Sequence, residues 1–347
     1  MKEFGSDFHY IKPQGVGRNT LNDFFPSANY YADGRQALIH LYRTQGWERL
    51  WIPEYFCYDV VESLKQAGLN VFFYTDYPGY ADDGETIAEM QRKGHFRAKD
   101  ALLRVNYFGM RPYRSSGRIK IPVVEDHTHD LIGGWALESS ADWCIASLRK
   151  TLPIPEGGML WSPQRLPLPD VPETLDDNEA IATTRWNAME LKTRYLAGED
   201  VEKSLFRAGF VNTEEFFDRA PVCALDSKSL NYLETFDVRS WNDRKKENWK
   251  LLLDIKKVGV KVMRPEDANC NPFSLILLFD SLSERDRVRK ALIEHQIYPA
   301  VLWDVPNPTD GEIFKISRGM LSIHCDGRYT KEDILQMKFI IESILEH

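Results

Sequence analysis

The chain has no apolar run approaching the roughly 18 residues that span a bilayer, no CxxC pair, and no basic block dense enough to track a phosphate backbone. Each absence removes a class of function. Without a spanning segment, and with an opening stretch (MKEFGSDFHY) too polar for a signal peptide, a soluble cytoplasmic protein is expected, with no role in a membrane. Five cysteines in 347 residues, Cys57, Cys144, Cys223, Cys270 and Cys325, are odd in number and scattered. Neither a disulfide framework nor a zinc site is expected from them. A net charge of −8 argues against nucleic acid as the main partner, and the short Arg244-Lys245-Lys246 run reads as a solvated helix face. What remains is ample material for a core, since 43% of the chain is hydrophobic, enough for two domains.

The informative stretch is Ile121 to Leu160. Ile121-Pro122-Val123-Val124 is a short β-branched run ending in Glu125-Asp126, the form of a buried parallel strand that delivers a carboxylate at its C-terminal edge. Trp143 to Ala146 repeats the form and ends in Ser147-Leu148-Arg149-Lys150, ahead of a Pro- and Gly-rich turn. Neighbouring strands would then bring an acid and a lysine to one sheet edge. From that pair alone a buried structural salt bridge is the commoner outcome. His127 and His129 add a metal reading, because strand alternation would put both on one face, apart from Asp126, Thr128 and Asp130. No third ligand is identifiable, which argues against a metal.

Around this stretch the periodicity alternates between strand and helix. Residues 1–30 lack a period and are expected to form an arm packed on the domain or on a partner subunit. Asp33-Gly34 is a helix start with Leu38, Leu41 and Tyr42 at helical spacing, and its free amides could bind a phosphate, as those of any capped helix could. Arg49 to Pro53 and Val71 to Tyr74 read as strands, with helices over Tyr55–Ala67 and Asp82–Arg92. Ala101 to Tyr107 is the strand before the one bearing Asp126. Ser162 to Pro172 is a Pro-rich surface excursion. A helix is expected over Asn178–Ala197, a shorter mixed segment over Leu205–Ala220, and one or two linking helices over Ser229–Lys257. Strands at Val260–Met263, Phe273–Phe279 and Leu321–Ile323, with helices Ser283–His295 and Lys331–Glu346, read as a small α/β unit. The expected division is an arm (1–30), a large domain (31–228) and a small C-terminal domain with its linker helix (229–347).

The stretch resembles the DegT/DnrJ/EryC1/StrS family of sugar aminotransferases, enzymes of fold type I that use pyridoxal 5'-phosphate (PLP). In that family an acidic pair on a strand is followed, after a short turn, by Gln or His, as Glu125-Asp126 is here by His129. The family's Schiff-base lysine is followed by Glu-Gly-Gly, as Lys150 is by Glu156-Gly157-Gly158. The likeness runs from about residue 30 to the end and is tightest from Val123 to Gly158.

The resemblance implies an α/β fold with a large, mostly parallel-sheet domain and a smaller C-terminal α/β domain, and PLP as cofactor. Asp126 would keep the pyridine nitrogen protonated, which the cofactor needs to act as an electron sink. Lys150 would form the imine and carry the proton, with burial and Arg149 lowering its pKa. Gly34, Arg35, Gln36 and Ser147 fall at phosphate-binding places, Asn106 where a donor to the phenolate oxygen stands, and His129 where a ring packs over the cofactor or orients Asp126. Cys57 falls at the stacking position, where Phe56 or Tyr58 would have to supply the ring instead, and Arg328 and Arg318 are candidates for the amino donor's carboxylate. The chain departs from the family at Arg35 and Gln36, which replace small hydroxyl residues, at Cys57, which replaces an aromatic, and at Ser147, which lies close to the lysine. The implied reaction moves an amino group from an amino acid, glutamate by analogy, to a keto-sugar, commonly nucleotide-linked, in surface-polysaccharide or secondary-metabolite pathways. A homodimer is implied as well. Two alternatives stay open at this point: a PLP-dependent lyase acting on an amino acid, and a binding or regulatory protein that kept the fold and lost catalysis.

Overall fold

A computed structural model of the chain describes residues 2–13, 18–80, 83–219 and 221–346. Its strands are β1 (Phe4–Gly5), β2 (Asn29–Tyr31), β3 (Arg49–Pro53), β4 (Val71–Tyr74), β5 (Asp100–Val105), β6 (Val123–Asp126), β7 (Trp143–Ser147), β8 (Gly158–Trp161), β9 (Val260–Val262), β10 (Ser274–Phe279), β11 (Ile297–Tyr298) and β12 (Met320–His324). Seven of them form one sheet in the order β2-β8-β7-β6-β5-β3-β4. Pairing is parallel from β4 through β7 and antiparallel on both sides of β8, so β8 alone opposes the rest.

The short apolar runs are continuous because both faces of this sheet are covered. Along β7, Trp143 and Ile145 pack into a cluster with Leu38 and Leu41 of helix Gly34–Thr44. Cys144 and Ala146, between them, face the opposite cluster with Trp186 and Met189 of helix Asp176–Leu196. That is the two-residue alternation of a strand with no solvent side.

Helix Asp83–Arg92 begins where the sequence suggests, although Asp82 lies outside the described residues. The segment read as short and mixed is a helix of 17 residues, Lys203–Arg219; Ala220 lies outside the described residues. Phe206, Phe210, Thr213 and Phe217 make its buried stripe, while the charged residues between them masked the period. It crosses helix Asp176–Leu196 closely at Gly209, where a Cβ would stand 2.8 Å from the Ala188 methyl. The linking segment is two helices, Ser227–Leu233 and Val238–Lys250.

A second sheet, β12-β10-β9, is antiparallel and carries its own core. Leu275, Leu277, Leu321 and Ile323 pack there against Leu292 of helix Leu282–Glu294 and Ile341 of helix Lys331–Glu346. In the N-terminal segment, β1 pairs in parallel with β11, the Tyr10 amide donates to the Met189 carbonyl (3.0 Å), and β2 joins the edge of the main sheet. No helix among the described residues is long and apolar enough to cross a membrane.

The topology sets where a site can form. After β3 the chain steps outward to β4 and returns on the other side of β3 as β5. Where the direction of winding changes, a crevice opens at the carboxyl ends of the strands. Asp126 ends β6 and Ser147 ends β7 at that crevice, and Phe56 and Cys57 follow β3 into it.

Candidate active site

A cavity of about 1020 Å³ occupies this edge, and Asp126, Lys150, Gly34, Ser147 and His129 all line it. Asp126 and Glu125 diverge because they are neighbours on a strand. Glu125 turns into the protein, accepting from Ser139 (2.6 Å) and Ser116 (3.1 Å) with Arg104 at 3.7 Å. Asp126 turns to the cavity, where one oxygen accepts the Thr128 amide (2.8 Å). Burial pushes its carboxyl above the ordinary aspartate range, and among the described residues no lysine or arginine forms an ion pair with it.

The strand ends at Asp126, so the expected alternation through residue 130 does not hold. The turn separates the two histidines. His127 is buried behind the sheet beside Trp135 and Trp161, with Nε2 3.2 Å from a Glu125 oxygen. Glu125, His127 and Cys144 do bring possible ligand atoms within 4.8 Å of one another. The Glu125 oxygens are already engaged by two hydroxyls and His127, and Arg104 stands beside them, which makes a structural polar network of the group. His129 instead faces the cavity, its Nδ1 accepting the Phe108 amide (3.2 Å). Burial and the nearby Lys150 lower its pKa to about 3, so the ring is neutral. It stacks on Trp303 with centroids 5.6 Å apart at 22°.

The helix start beside Ser147 is shaped by glycines. A Cβ on Gly34 would stand 3.0 Å from the Ser147 nitrogen and Cα, and one on Gly158 would stand 2.2 Å from the Asp33 carbonyl oxygen. Gly157 has φ +122° and donates its amide to the Ala32 carbonyl (2.7 Å). The Glu-Gly-Gly motif therefore lets β8 run against the turn that begins helix Gly34–Thr44. Its Glu156 accepts the Asp226 amide (2.9 Å), and burial raises its pKa to about 8.

At this helix start the expectation of free amides is corrected in part. Asp33 caps the helix by accepting the Arg35 amide (3.0 Å), so that donor is committed. Side chains add further donors. Ser147 Oγ, Arg35 Nε and Arg149 Nε are all buried and without a hydrogen-bond partner among the described residues. Arg35 is held by Ser63 (2.8 Å) and Asp218, and Arg149 by both oxygens of Glu214 (2.6 and 3.2 Å), with its Nε 3.5 Å from Asp33. Arg185 shares Glu214 at 3.0 Å. Burial opposes ionisation of Glu214, but Arg149, Arg185 and Lys150 together hold its pKa at about 2.

Lys150 follows Arg149 in a single 3₁₀ turn after β7. It lies deep in the molecule while its side chain remains accessible along the cavity. The Arg149 charge and then burial lower its pKa to about 8, against the opposing fields of Glu214, Asp33 and Cys57. Near pH 7 roughly a tenth of the amine is thus unprotonated, far more than of an ordinary lysine.

The other expected residues divide. Phe56 and Cys57 both line the cavity; Phe56 lies 6.0 Å from Trp303 between ring centroids, and burial raises the Cys57 thiol. Gln36 turns away, accepting the Cys223 amide (3.1 Å). Asn106 is buried just after β5, with neither amide atom partnered, and is not among the cavity-lining residues. Arg328 is outside the cavity, paired with both oxygens of Asp326 (2.9 Å each) and lying over Phe8. Arg318 is at the surface beside Asp304 (3.3 Å). Neither arginine is brought to Lys150. Sequence reasoning missed Glu214 and Asp218, whose i, i+4 spacing on a helix was the available signal, and His324, which ends β12 on the cavity wall.

The donor set fits PLP. Among the described residues, a half-buried carboxyl paired with no lysine or arginine suits a protonated ring nitrogen, an amine of lowered pKa suits an aldehyde, and three buried unpartnered donors beside a glycine-lined turn suit a phosphate.

No protein-family model matches the chain, and no curated protein matches it. Solved structures do. The PLP-form of Spr1654 from Streptococcus pneumoniae aligns at 13% identity over 99% of both chains with a TM-score of 0.64. Helicobacter pylori PseC, an aminotransferase involved in the biosynthesis of pseudoaminic acid, aligns at 12% identity over 99% of this chain and 100% of its own, with a TM-score of 0.63. A DegT DnrJ EryC1 StrS aminotransferase from Brucella abortus aligns at 13% identity over 96% and 92%, with a TM-score of 0.59. At these identities the likeness concerns architecture: the chain has the α/β fold of PLP fold type I aminotransferases, with its mixed, mostly parallel central sheet.

Proposed function

We propose that this protein is a PLP-dependent aminotransferase that passes an amino group from an amino acid, glutamate in the first instance, to a keto-sugar, nucleotide-linked, in surface-polysaccharide or secondary-metabolite synthesis. The observation that carries the reading is one cavity holding both Lys150, an amine lowered to about 8, and Asp126, a half-buried carboxyl that pairs with no lysine or arginine among the described residues. Bound PLP would supply an electron sink for the carbon that loses and gains the amine.

The chain's own residues do the rest. Asp126 would hold a proton on the ring nitrogen, as a carboxylate next to a cation does. Lys150 would hold the cofactor's aldehyde carbon, and its Nζ would carry the proton that the transfer moves. Ser147, Arg35 and Arg149 offer their free donors to the phosphate. His129, neutral and stacked on Trp303, gives an apolar wall that excludes water. The core that the second sheet forms with its helices supports a small domain distinct from the large one, and the N-terminal arm is part of the same reading. A homodimer is part of the same reading.

The test is an absorbance spectrum of purified protein with PLP, before and after glutamate. A yellow band that glutamate discharges, and that is missing in Lys150→Ala, is expected. Borohydride reduction followed by peptide mass spectrometry should locate the trapped adduct at Lys150; a trapped adduct at another lysine, or none, would overturn the assignment.

A further inference from the structure

One carboxylate on the cavity wall is not used by the chemistry above. Ser6, Asp7 and Phe8 of the N-terminal segment line the same cavity as Lys150. The backbone at Asp7 is held firmly: Lys192 donates to the Asp7 carbonyl (2.7 Å) and to Ser6 Oγ (3.1 Å), and Arg328 reaches both carbonyls (3.3 and 3.4 Å). The Tyr329 hydroxyl accepts the Gly5 amide (2.7 Å) while β1 pairs with β11. Gly5 and Ser6 are both left-handed, with φ of 79° and 62°. At Gly5 only glycine fits, since a Cβ would stand 2.5 Å from the Tyr298 carbonyl oxygen. For Ser6 the conformation is strained, and the surrounding bonds maintain it.

All of this positions one side chain. The Asp7 carboxylate is exposed and makes no hydrogen bond or ion pair with the described residues. Its charge is nevertheless felt by Arg149, Arg185 and His324, which stand on the cavity wall. Asp59, another exposed acid lining the cavity, sits in the first turn of helix Tyr58–Gln66, whose N-terminal dipole accounts for it. Asp7 stands at no helix start; the buried Lys192 and Arg328 also feel its charge, and the test below separates that charge balance from recognition.

We propose that Asp7 recognises the acceptor sugar, its two carboxylate oxygens accepting hydrogen bonds from adjacent ring hydroxyls. This rests on the keto-sugar reading above. Hydroxyls suit an unpaired carboxylate as neutral donors that form charge-assisted bonds. The amino donor's ammonium is the competing partner for a carboxylate, and the glutamate arm of the test separates the two.

The test uses PLP-loaded protein and calorimetric titration with UDP-, dTDP- and GDP-hexoses, each against its parent nucleoside diphosphate. Wild type should bind at least one hexose conjugate more tightly than the diphosphate alone. Asp7→Asn should weaken that conjugate by about ten- to a hundredfold, the size of a lost hydrogen bond to a charged group. It should leave the diphosphate and the glutamate-driven loss of colour unchanged, and Asp7→Glu should recover part of the loss. The proposal falls if Asp7→Asn binds the conjugate as wild type does, or weakens conjugate and diphosphate equally, which would make Asp7 a general charge balance. It also falls if the variant instead raises the glutamate concentration needed to discharge the colour, which would assign Asp7 to the donor's ammonium. If wild type reacts with glutamate but binds no hexose conjugate, the keto-sugar reading itself fails and takes this proposal with it.

Discussion

The Cβ that Gly34 lacks would stand 3.0 Å from the amide nitrogen of Ser147, so the first turn of helix Gly34–Thr44 and the end of β7 are in backbone contact. Gly34→Ala can be accommodated only if Ser147 shifts by a few tenths of an ångström. We expect this variant to fold, to lose about 1 kcal/mol of stability from overpacking, and to bind PLP roughly tenfold more weakly because Ser147 Oγ is displaced. Gly158→Ala meets the Asp33 carbonyl oxygen at 2.2 Å and should lose considerably more stability. Paired denaturant melts and PLP titrations check both. Equal PLP affinity in Gly34→Ala and wild type would remove Ser147 from the phosphate site.

Arg149 is the largest influence lowering Lys150, so its charge should be visible in the pH dependence of cofactor capture. In wild type the rate of PLP attachment should rise with pH through about 8, as the amine deprotonates. Arg149→Gln should move that midpoint upward. The stability sign follows from the same shift. A lysine lowered from 10.5 to about 8 costs stability while it is protonated in the fold, and the cost is relieved as pH rises from about 8 to 10.5. Lys150→Met should therefore be more stable than wild type below about 8, with the difference shrinking above it. Stopped-flow capture rates and thermal melts across pH measure the two effects separately.

Glu214 neutralises Arg149 and Arg185 from helix Lys203–Arg219. Its pKa of about 2 lies below the ordinary 4.5, so its contribution is complete above 4.5 and is lost as pH falls towards 2. The side chain is 45% exposed, so the loss in Glu214→Gln should be modest, about 1 kcal/mol near neutral pH. The variant removes the carboxylate that the two guanidiniums share, leaving Asp33 at 3.5 Å as the acid beside Arg149. Inorganic phosphate should then raise the melting temperature of Glu214→Gln more than that of wild type. An identical phosphate response in the two proteins would show that these guanidiniums are not an anion site.

What the sequence made legible follows from which contacts are local. Strands β3, β5 and β7 could be read because each is a short apolar run buried on both faces, and the edge strand β4 because its run is apolar and β-prone although Phe72 and Phe73 are exposed. Asp126 and Lys150 could be placed together because neighbouring parallel strands end on the same edge. Features that depend on distant elements were not legible. The turn after Asp126 sends His127 and His129 to opposite sides, and nothing in an alternating His-x-His signals where the strand stops. Arg328 and Arg318 looked equally available, but Asp326 and Asp304 claim them. Glu214 and Asp218 reach the site because helix Lys203–Arg219 folds back over it, a packing decision made by the Gly209–Ala188 crossing.

The Glu-Gly-Gly motif supplies the last prediction. Glu156 is fully buried, one oxygen accepts the Asp226 amide, and the other has no partner. Burial raises its pKa from 4.5 to about 8, which means the fold binds a proton that the unfolded chain has already released between those values. An acid raised in this way loses stability as pH rises from 4.5 to about 8, and the full cost is present above about 8. Glu156→Gln keeps the shape and the acceptor oxygen while removing the titration. The variant should match wild type near 4.5, become progressively more stable by comparison, and lead by on the order of 2 kcal/mol above about 8. Denaturant melts at a series of pH values decide it: parallel stability curves for the two proteins would mean that Glu156 is ionised in the fold, and that this glutamate serves as a charge near the cofactor site rather than as a neutral hydrogen-bonding brace for β8.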